Sequence, residues 1–366
     1  MIGSLHISGF KIFRDITLPR FGQLNLFVGE NNSGKSCLLE AINLYAERTP
    51  VTDVLETAAI RSGERLGSWV PGETMEEGTS ITHPVFELFY RAGDETKAVI
   101  VIEKVGDSTP LRIHQQLYGA ITNEDGFKRY VPATQPDTIF PEGVEMALAV
   151  YRGENQVGFI TSRTRPLRSR IQDGYRLSNG DALSVAFLPA KGLSDEKAAS
   201  LWDGLVQGPG QHLVLHWLRM LDHRIEDLAY VAGRRGSRLA LLKIEGQGRI
   251  PLRSMGDGLT KLFHISVAAA SASQGVLLID EFENGLHWSV QKRLWSALAK
   301  AARDSNVQVF CTTHSRDCIE SFSAAVKEER PGASVYRLER RGDDVFATDL
   351  PLINVDAAMR EHGELR

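Results

Sequence analysis

No hydrophobic run in this sequence approaches the roughly 18 residues that a membrane-crossing helix needs, so membrane-spanning functions drop out first. Cysteine is scarce. Cys37, Cys311 and Cys318 form no CxxC pair and have no metal-ligand spacing, which excludes a disulfide framework and a thiolate zinc centre. Cys37 and Cys311 flank apolar residues and read as small buried side chains of a protein in a reducing cytoplasm. An excess of one charge is missing too: 42 Lys and Arg against 46 Asp and Glu leave a net charge of −4, which argues against a generic polyanion binder. The start, MIGSLHISGF, lacks the charged leader and apolar stretch of a secretory signal. No heptad pattern appears anywhere, so a long coiled-coil arm is excluded, and there are no internal repeats.

What remains is a chain of 366 residues, 42% hydrophobic and 24% charged, with ample material for a large core. Ser4–Ser8 alternates, and Leu24–Val28 is an apolar run ending in glycine; both predict strands. Residues 35–47 place Leu38, Leu39, Ile42 and Tyr45 at helical spacing. Residues 50–180 change character. Strand-like runs (Val85–Tyr90, Lys97–Val105, Leu111–Tyr118, Met146–Tyr151) alternate with Gly, Pro and Asp, after a possible helix at 51–62. Order of the α/β type resumes at Leu183–Leu188, followed by helical patterns at 194–206 and 211–226 and strands at Leu228–Ala232 and Arg238–Glu245. The last third predicts helix 256–272, strand Gly275–Asp280, helix 288–303, strand Val307–Thr312 and helix 315–326. It closes with strands near 334–339 and 344–349 and a short helix at 353–362.

Residues Gly29-Glu30-Asn31-Asn32-Ser33-Gly34-Lys35-Ser36 match G-x-x-x-x-G-K-[ST] in full, between an apolar strand and a helix. Glycines let the backbone N–H groups of Asn31, Asn32, Ser33 and Gly34 turn toward phosphate oxygens, and the helix that begins there, with Cys37 in its first turn, adds its positive end. Lys35 would reach the β- and γ-phosphates of ATP, and the Ser36 hydroxyl would take a Mg²⁺ position. Gly275-Val-Leu-Leu-Ile-Asp280-Glu281 predicts a buried parallel strand that ends in two carboxylates, at the rim where α/β sheets bind ligands. Asp280 is the candidate Mg²⁺ ligand and Glu281 the candidate base for the attacking water. A second such strand ends in Thr313-His314-Ser315, where His314 is either structural or a donor to the γ-phosphate.

Together, ISGFKIFRDITL, LNLFVGENNSGKS, SMGDGL, LLIDEFENGLH and FCTTHS resemble, in order and approximate spacing, the ATPase heads of SMC proteins, their DNA-repair relatives and OLD-type ATPases. The resemblance covers residues 1–49 and about 183–340. It implies an α/β, ABC-ATPase-like P-loop domain (1–49 and 183–366) with an N-terminal antiparallel β subdomain and a strand-rich insertion at 50–182. It also implies an ATP-dependent homodimer in which Ser254, Gly256, Asp257 and Gly258 of one copy form the signature that caps the nucleotide of the other. Ser254 would serve equally as a plain helix N-cap. Asn284-Gly285-Leu286-His287 falls where that family's loop crosses the dimer interface, and Lys11 where a basic residue approaches phosphate or ribose. The glutamine-bearing loop of the family has no clear counterpart; Gln115, Gln116 and His83 are ordinary candidates.

The stretch after His314 is too short for the Toprim nuclease domain of OLD proteins, and no coiled coil stands between phosphate loop and signature. The expectation is therefore a stand-alone ATPase serving a separate effector, such as a nuclease or toxin, in a bacterial system of the antiphage kind. Nucleic acid is a further candidate partner: Arg163, Arg165, Arg168, Arg170 and Arg176 face only Asp173, as a phosphate-contacting patch or as an arginine loop paired with acids elsewhere. A binding scaffold that holds a partner through 50–180, and a small-molecule NTP phosphatase or kinase, are the competing readings.

Overall fold

The computed structural model describes residues 1–46, 88–90, 98–106, 109–122, 128–133, 140, 144–161, 183–233, 237–329 and 332–351. The possible helix at 51–62, His83, the arginine segment 163–176 and the helix at 353–362 lie outside these residues, as does the first half of the expected strand Val85–Tyr90.

Strands β1 (Leu5–Phe10), β2 (Phe13–Leu18) and β3 (Leu24–Val28) lead into helix α1 (Lys35–Ala46). Then come β4 (Ala98–Glu103), β5 (Leu111–Thr122), β6 (Lys128–Pro132), β7 (Val144–Arg152), β8 (Asn155–Thr161) and β9 (Val185–Leu188). Helices α2 (Asp195–Leu205) and α3 (Pro209–Arg219) precede β10 (Ile225–Ala232), β11 (Arg238–Ile244) and β12 (Gly248–Pro251). The remainder alternates: α4 (Asp257–Ser271), β13 (Val276–Ile279), α5 (Trp288–Asp304), β14 (Gln308–Thr313), α6 (Arg316–Glu329), β15 (Ala333–Arg341) and β16 (Asp344–Leu350).

A six-stranded sheet in the order β16-β15-β3-β14-β13-β9 is parallel except for β16. Its central strands β3, β14 and β13 are buried along their whole length because both faces are covered, whereas β15 and β16 emerge at the edge. Successive side chains point to opposite faces, so β13 sends Leu277 and Ile279 into one core, among Phe263, Trp295 and Phe322 of the helices. Val276 and Leu278 enter the other, among Leu38, Leu39 and Ile42 of α1 and Ile7 and Phe10 of β1. The register sets Leu188, Ile279, Cys311 and Leu26 in one row and Thr313, Val28 and Arg337 two residues further on, which fixes where the strand-end loops meet.

The segment 50–182 forms no separate sheet among the described residues. Strands β4 to β8 continue the antiparallel sheet begun by β1 and β2, in the order β2-β1-β4-β5-β7-β8 with β6 on β5. The helix expected at 211–226 ends at Arg219 instead. Asp222 turns the chain there by accepting from the Arg224 backbone N–H at 3.0 Å and pairing with its guanidinium, which holds its carboxyl near 2 and frees Ile225 to start β10. No helix of the described residues is long and apolar enough to cross a membrane.

Candidate functional site

The loop 29–34 is held between three elements. A side chain at Gly29 would collide with the Leu338 carbonyl oxygen of β15, so only glycine allows that approach. On the other side, Ile12 and Phe13, from the β1–β2 turn, press on Gly34. Asn31 and Asn32 are exposed, Ser33 and Gly34 are buried, and Cys37 lies buried in the first turn of α1. A cavity of 530 Å³ opens between the outer face of this loop and Arg337–Gly342 at the β15–β16 turn.

Lys35 is buried, with its ammonium donating to the carbonyls of Gly29 at 2.8 Å and Glu30 at 2.7 Å. Burial pushes its pKa down, opposed by Asp280, Glu281, Glu283 and Glu30. Ser36 donates to Asp280 Oδ1 at 3.1 Å, and Thr312 donates to the same oxygen at 2.6 Å. The Thr312 hydroxyl in turn accepts from the Glu281 N–H at 2.8 Å. One chain of hydrogen bonds thus joins the loop's helix, the end of β13 and the end of β14. Thr312 was not singled out in the sequence, although a polar residue closing an apolar strand beside the Asp-Glu pair was the available signal.

Glu281 sits at φ 48°, a left-handed conformation uncommon for a residue with a side chain. Its surroundings hold it there. The Asn284 amide donates to Glu281 Oε2, and the Glu281 carbonyl accepts from the Asn284 N–H at 3.1 Å and from Lys261 at 3.2 Å. Phe282, one residue on, is driven into the core and stacks on Trp295 at 3.8 Å, itself edge-on to Phe322. Lys261 is buried and its pKa is lowered, first by burial, against the raising pull of Glu283, Asp280 and Glu281. A lone cation in the apolar helix LTKLFHIS was a signal that sequence reasoning passed over. His314 is exposed at the end of β14, and Glu283 accepts from its backbone N–H and adjoins its ring.

The other expected site residues fall in two places. Lys11, at φ 51° in the β1–β2 turn, pairs with Glu40 of α1, one turn beyond Ser36, and lies 5.5 Å from the centre of the Phe10 ring. Ser254 belongs to a 3₁₀ turn, Leu252–Met255, and Gly256 is the residue before α4; no side chain caps that helix, so Ser254 is no N-cap. Gly256 has φ 93°, a value that favours glycine, and a side chain there would meet nothing within 4 Å. Ser254, Gly256 and Asp257 are exposed. A side chain on Gly258 would meet the Gly285 carbonyl at 3.1 Å, so this turn rests on the loop that follows Glu281. Gln116 donates to the Tyr118 hydroxyl at 2.8 Å within β5.

Comparison with known proteins gives two family models. Residues 1–102 match "AAA ATPase domain", and residues 158–317 match "AAA domain, putative AbiEii toxin, Type IV TA system". The chain is 27% identical over 354 residues to the "ATP/GTP phosphatase" of Helicobacter pylori, covering 90% of this chain and 89% of that one. It is 33% identical over 108 residues to an uncharacterized protein of Methanocaldococcus jannaschii, covering 29% of this chain and 93% of that protein. Among solved structures, the Smc head domain with a coiled coil and joint from Pyrococcus yayanosii superposes with a TM-score of 0.50 at 11% identity, covering 99% of each chain.

Proposed function

We propose that this chain is a P-loop ATPase of the ABC/SMC-like kind and that it acts as a switch in which two copies close around ATP and open on hydrolysis. The observation that carries the reading is the hydrogen-bonded chain Ser36–Asp280–Thr312–Glu281 beside Lys35. It sets a cation, a hydroxyl and two carboxylates at one strand rim, the set that phosphoanhydride hydrolysis needs.

In this reading the N–H groups of residues 31–36 and the start of α1 hold the phosphates, with Cys37 and Lys11 flanking them. Lys35 exchanges its two carbonyl contacts for β- and γ-phosphate oxygens. Glu281 orients and deprotonates a water for in-line attack at the γ-phosphorus, the bond from that phosphorus to the bridging oxygen breaks with ADP as leaving group, and His314 donates to a γ-phosphate oxygen. Ser36 and Asp280 stand together and would hold Mg²⁺, which neutralises charge on the β- and γ-phosphates when bound. Ser254, Gly256 and Asp257 face solvent at a helix start, with Gly258 against the Gly285 carbonyl, and together they serve the nucleotide of the other copy.

The head comprises 1–49 and 183–366; in the competing scaffold reading, 50–182 is the surface that docks a partner protein. The match of residues 158–317 to a family described as a putative toxin of a Type IV TA system supports a defence setting. Nucleic acid is the alternative cargo. The name of the Helicobacter pylori relative makes GTP the second nucleotide to test.

The test is the mass of Glu281→Gln protein in solution, with and without ATP, GTP and Mg²⁺. The expected result is a monomer that becomes a dimer or larger only with nucleotide and Mg²⁺. A mass that nucleotide leaves unchanged overturns the sandwich and, with it, the role given to Ser254.

A further inference from the structure

The geometry points to Glu283 as a positioning residue that fixes the imidazole of His314, an inference that rests on the reading of His314 as a donor to the γ-phosphate. Glu283 leaves the β13 rim in the same loop as Glu281 but turns the other way, toward β14. Its side chain is 9% exposed against 43% for His314, so the acid is the buried member of the pair and the ring the accessible one. Glu283 Oε1 accepts from the backbone N–H of His314 at 3.0 Å and lies 3.2 Å from Nδ1 of the same residue. One oxygen thus grips both the main chain and the ring.

A carboxylate oxygen only accepts, so its approach to within ion-pair distance of the ring favours the tautomer with hydrogen on Nδ1. Nε2 is then the nitrogen free to meet a ligand, and which nitrogen plays that part is decided by the partner of the other one. The backbone bond adds what a ring contact alone lacks. It ties the carboxylate to the strand end, so the ring and the strand cannot shift independently.

A purely structural role for Glu283 sits poorly with its second oxygen. Glu283 Oε2 is buried and has no hydrogen-bond partner. An amide or an apolar side chain would brace the loop without leaving a buried acceptor unpaired. The counter-charge comes from Lys261, which donates to the neighbouring Glu281 carbonyl at 3.2 Å and feels Glu283 more than any other charge. The carboxylate is therefore kept in a place where its main hydrogen-bonding work is done on His314.

The experiment uses the full chain with ¹⁵N-labelled histidine. The ring signals of His314 are assigned by their loss in His314→Ala, and the tautomer is read from two-bond proton–nitrogen couplings. Expected are an Nδ1–H ring in the parent protein and loss of that preference in Glu283→Ala. The same variant should lower kcat about tenfold with KM for ATP within about twofold, as removing a buried orienting partner does. Combined with His314→Ala it should be no slower than His314→Ala alone. Glu283→Gln, which keeps an acceptor oxygen and nearly the same shape, should retain the tautomer and most of the rate, and it carries the test if the alanine variant does not fold. An unchanged tautomer in Glu283→Ala, additive losses in the double variant, or a glutamine variant with the tautomer lost each overturn the proposal. Hydrolysis at the parent rate in His314→Ala would instead sink the role given to His314, while the tautomer still decides whether Glu283 holds the ring.

Discussion

The phosphate loop and the turn before α4 are both helix starts rich in glycine, yet they are finished to different degrees. At the first, the groups around Asp280 have partners within the chain: Lys35 on two carbonyls, Ser36 and Thr312 on Asp280, and Glu281 on Asn284 and Thr312, while Ser33 Oγ and Glu283 Oε2 are buried without one. At the second, Ser254, Gly256 and Asp257 face solvent, no side chain caps the helix, and Gly256 has open space around it. A buried polar group without a partner is costly, so the first site had to be completed internally. The second pays no such penalty while exposed, and it becomes complete only against something brought to it. The contrast matches a protein whose own half of the site is built in advance and whose other half is supplied by a second copy.

The sharpest way to break that contrast is Lys35→Ala. The variant deletes the cation of the phosphate loop, so nucleotide affinity should fall by about a hundredfold or more. Binding of a fluorescent ATP analogue measures this. Melting should change little, because the two carbonyls released by Lys35 lie next to the solvent-exposed Glu30. Retained affinity would mean that the loop is not where phosphate binds.

The opposite half is tested by Ser254→Arg. Ser254 is exposed in a 3₁₀ turn, so a longer side chain costs little within one copy. Between two copies it puts bulk where a nucleotide phosphate would sit. The expected outcome is nucleotide binding within about threefold of the parent, with turnover down on the order of a hundredfold, the scale of losing donors to transition-state charge. In the Glu281→Gln background the variant should stay monomeric with ATP and Mg²⁺ in sedimentation. Parent-like turnover would favour a nucleotide phosphatase that works as a single copy.

The same contrast explains what the sequence disclosed. The phosphate loop, Asp280–Glu281 and the strands around them were legible because a parallel sheet buried on both faces writes itself as short apolar runs, each ending in its functional residues. Lys261, Thr312 and Glu283 were not, because each acts through a residue far away in the chain: Lys261 on Glu281, Thr312 on Asp280, Glu283 on His314. The antiparallel sheet was legible in part: its N-terminal subdomain and several strands of 50–182 were expected, but not that they join into one sheet. Its join is β1 with β4, where Ile7 faces Ile102, and no local pattern records a pairing across that separation. The misjudged end of α3 has a local cause, since Asp222 competes for the backbone in a stretch whose apolar spacing still looks helical.

The smallest effect expected distinguishes the two halves by acid. His264, in the middle of α4, accepts at Nδ1 from the Leu193 N–H at 3.3 Å, and a side chain on Gly192 would meet its ring at 2.8 Å. Burial pushes its pKa down from 6.5 to about 4, with Lys261 and Arg253 adding to the fall and Asp195 opposing it. Below 6.5 the unfolded chain takes up a proton that the folded chain refuses, so unfolding becomes easier as pH drops. The stabilising contribution is present above 6.5, declines from there toward 4, and is gone below that window. Urea unfolding at pH 7.5 and pH 5 should therefore show a loss on the order of 1–2 kcal/mol that His264→Gln, whose amide oxygen can still accept from Leu193, largely abolishes. An equal acid loss in that variant would assign the sensitivity to other groups. Because His264 lies on the helix that the signature turn opens, mild acid should weaken nucleotide-dependent association before it weakens nucleotide binding at Lys35.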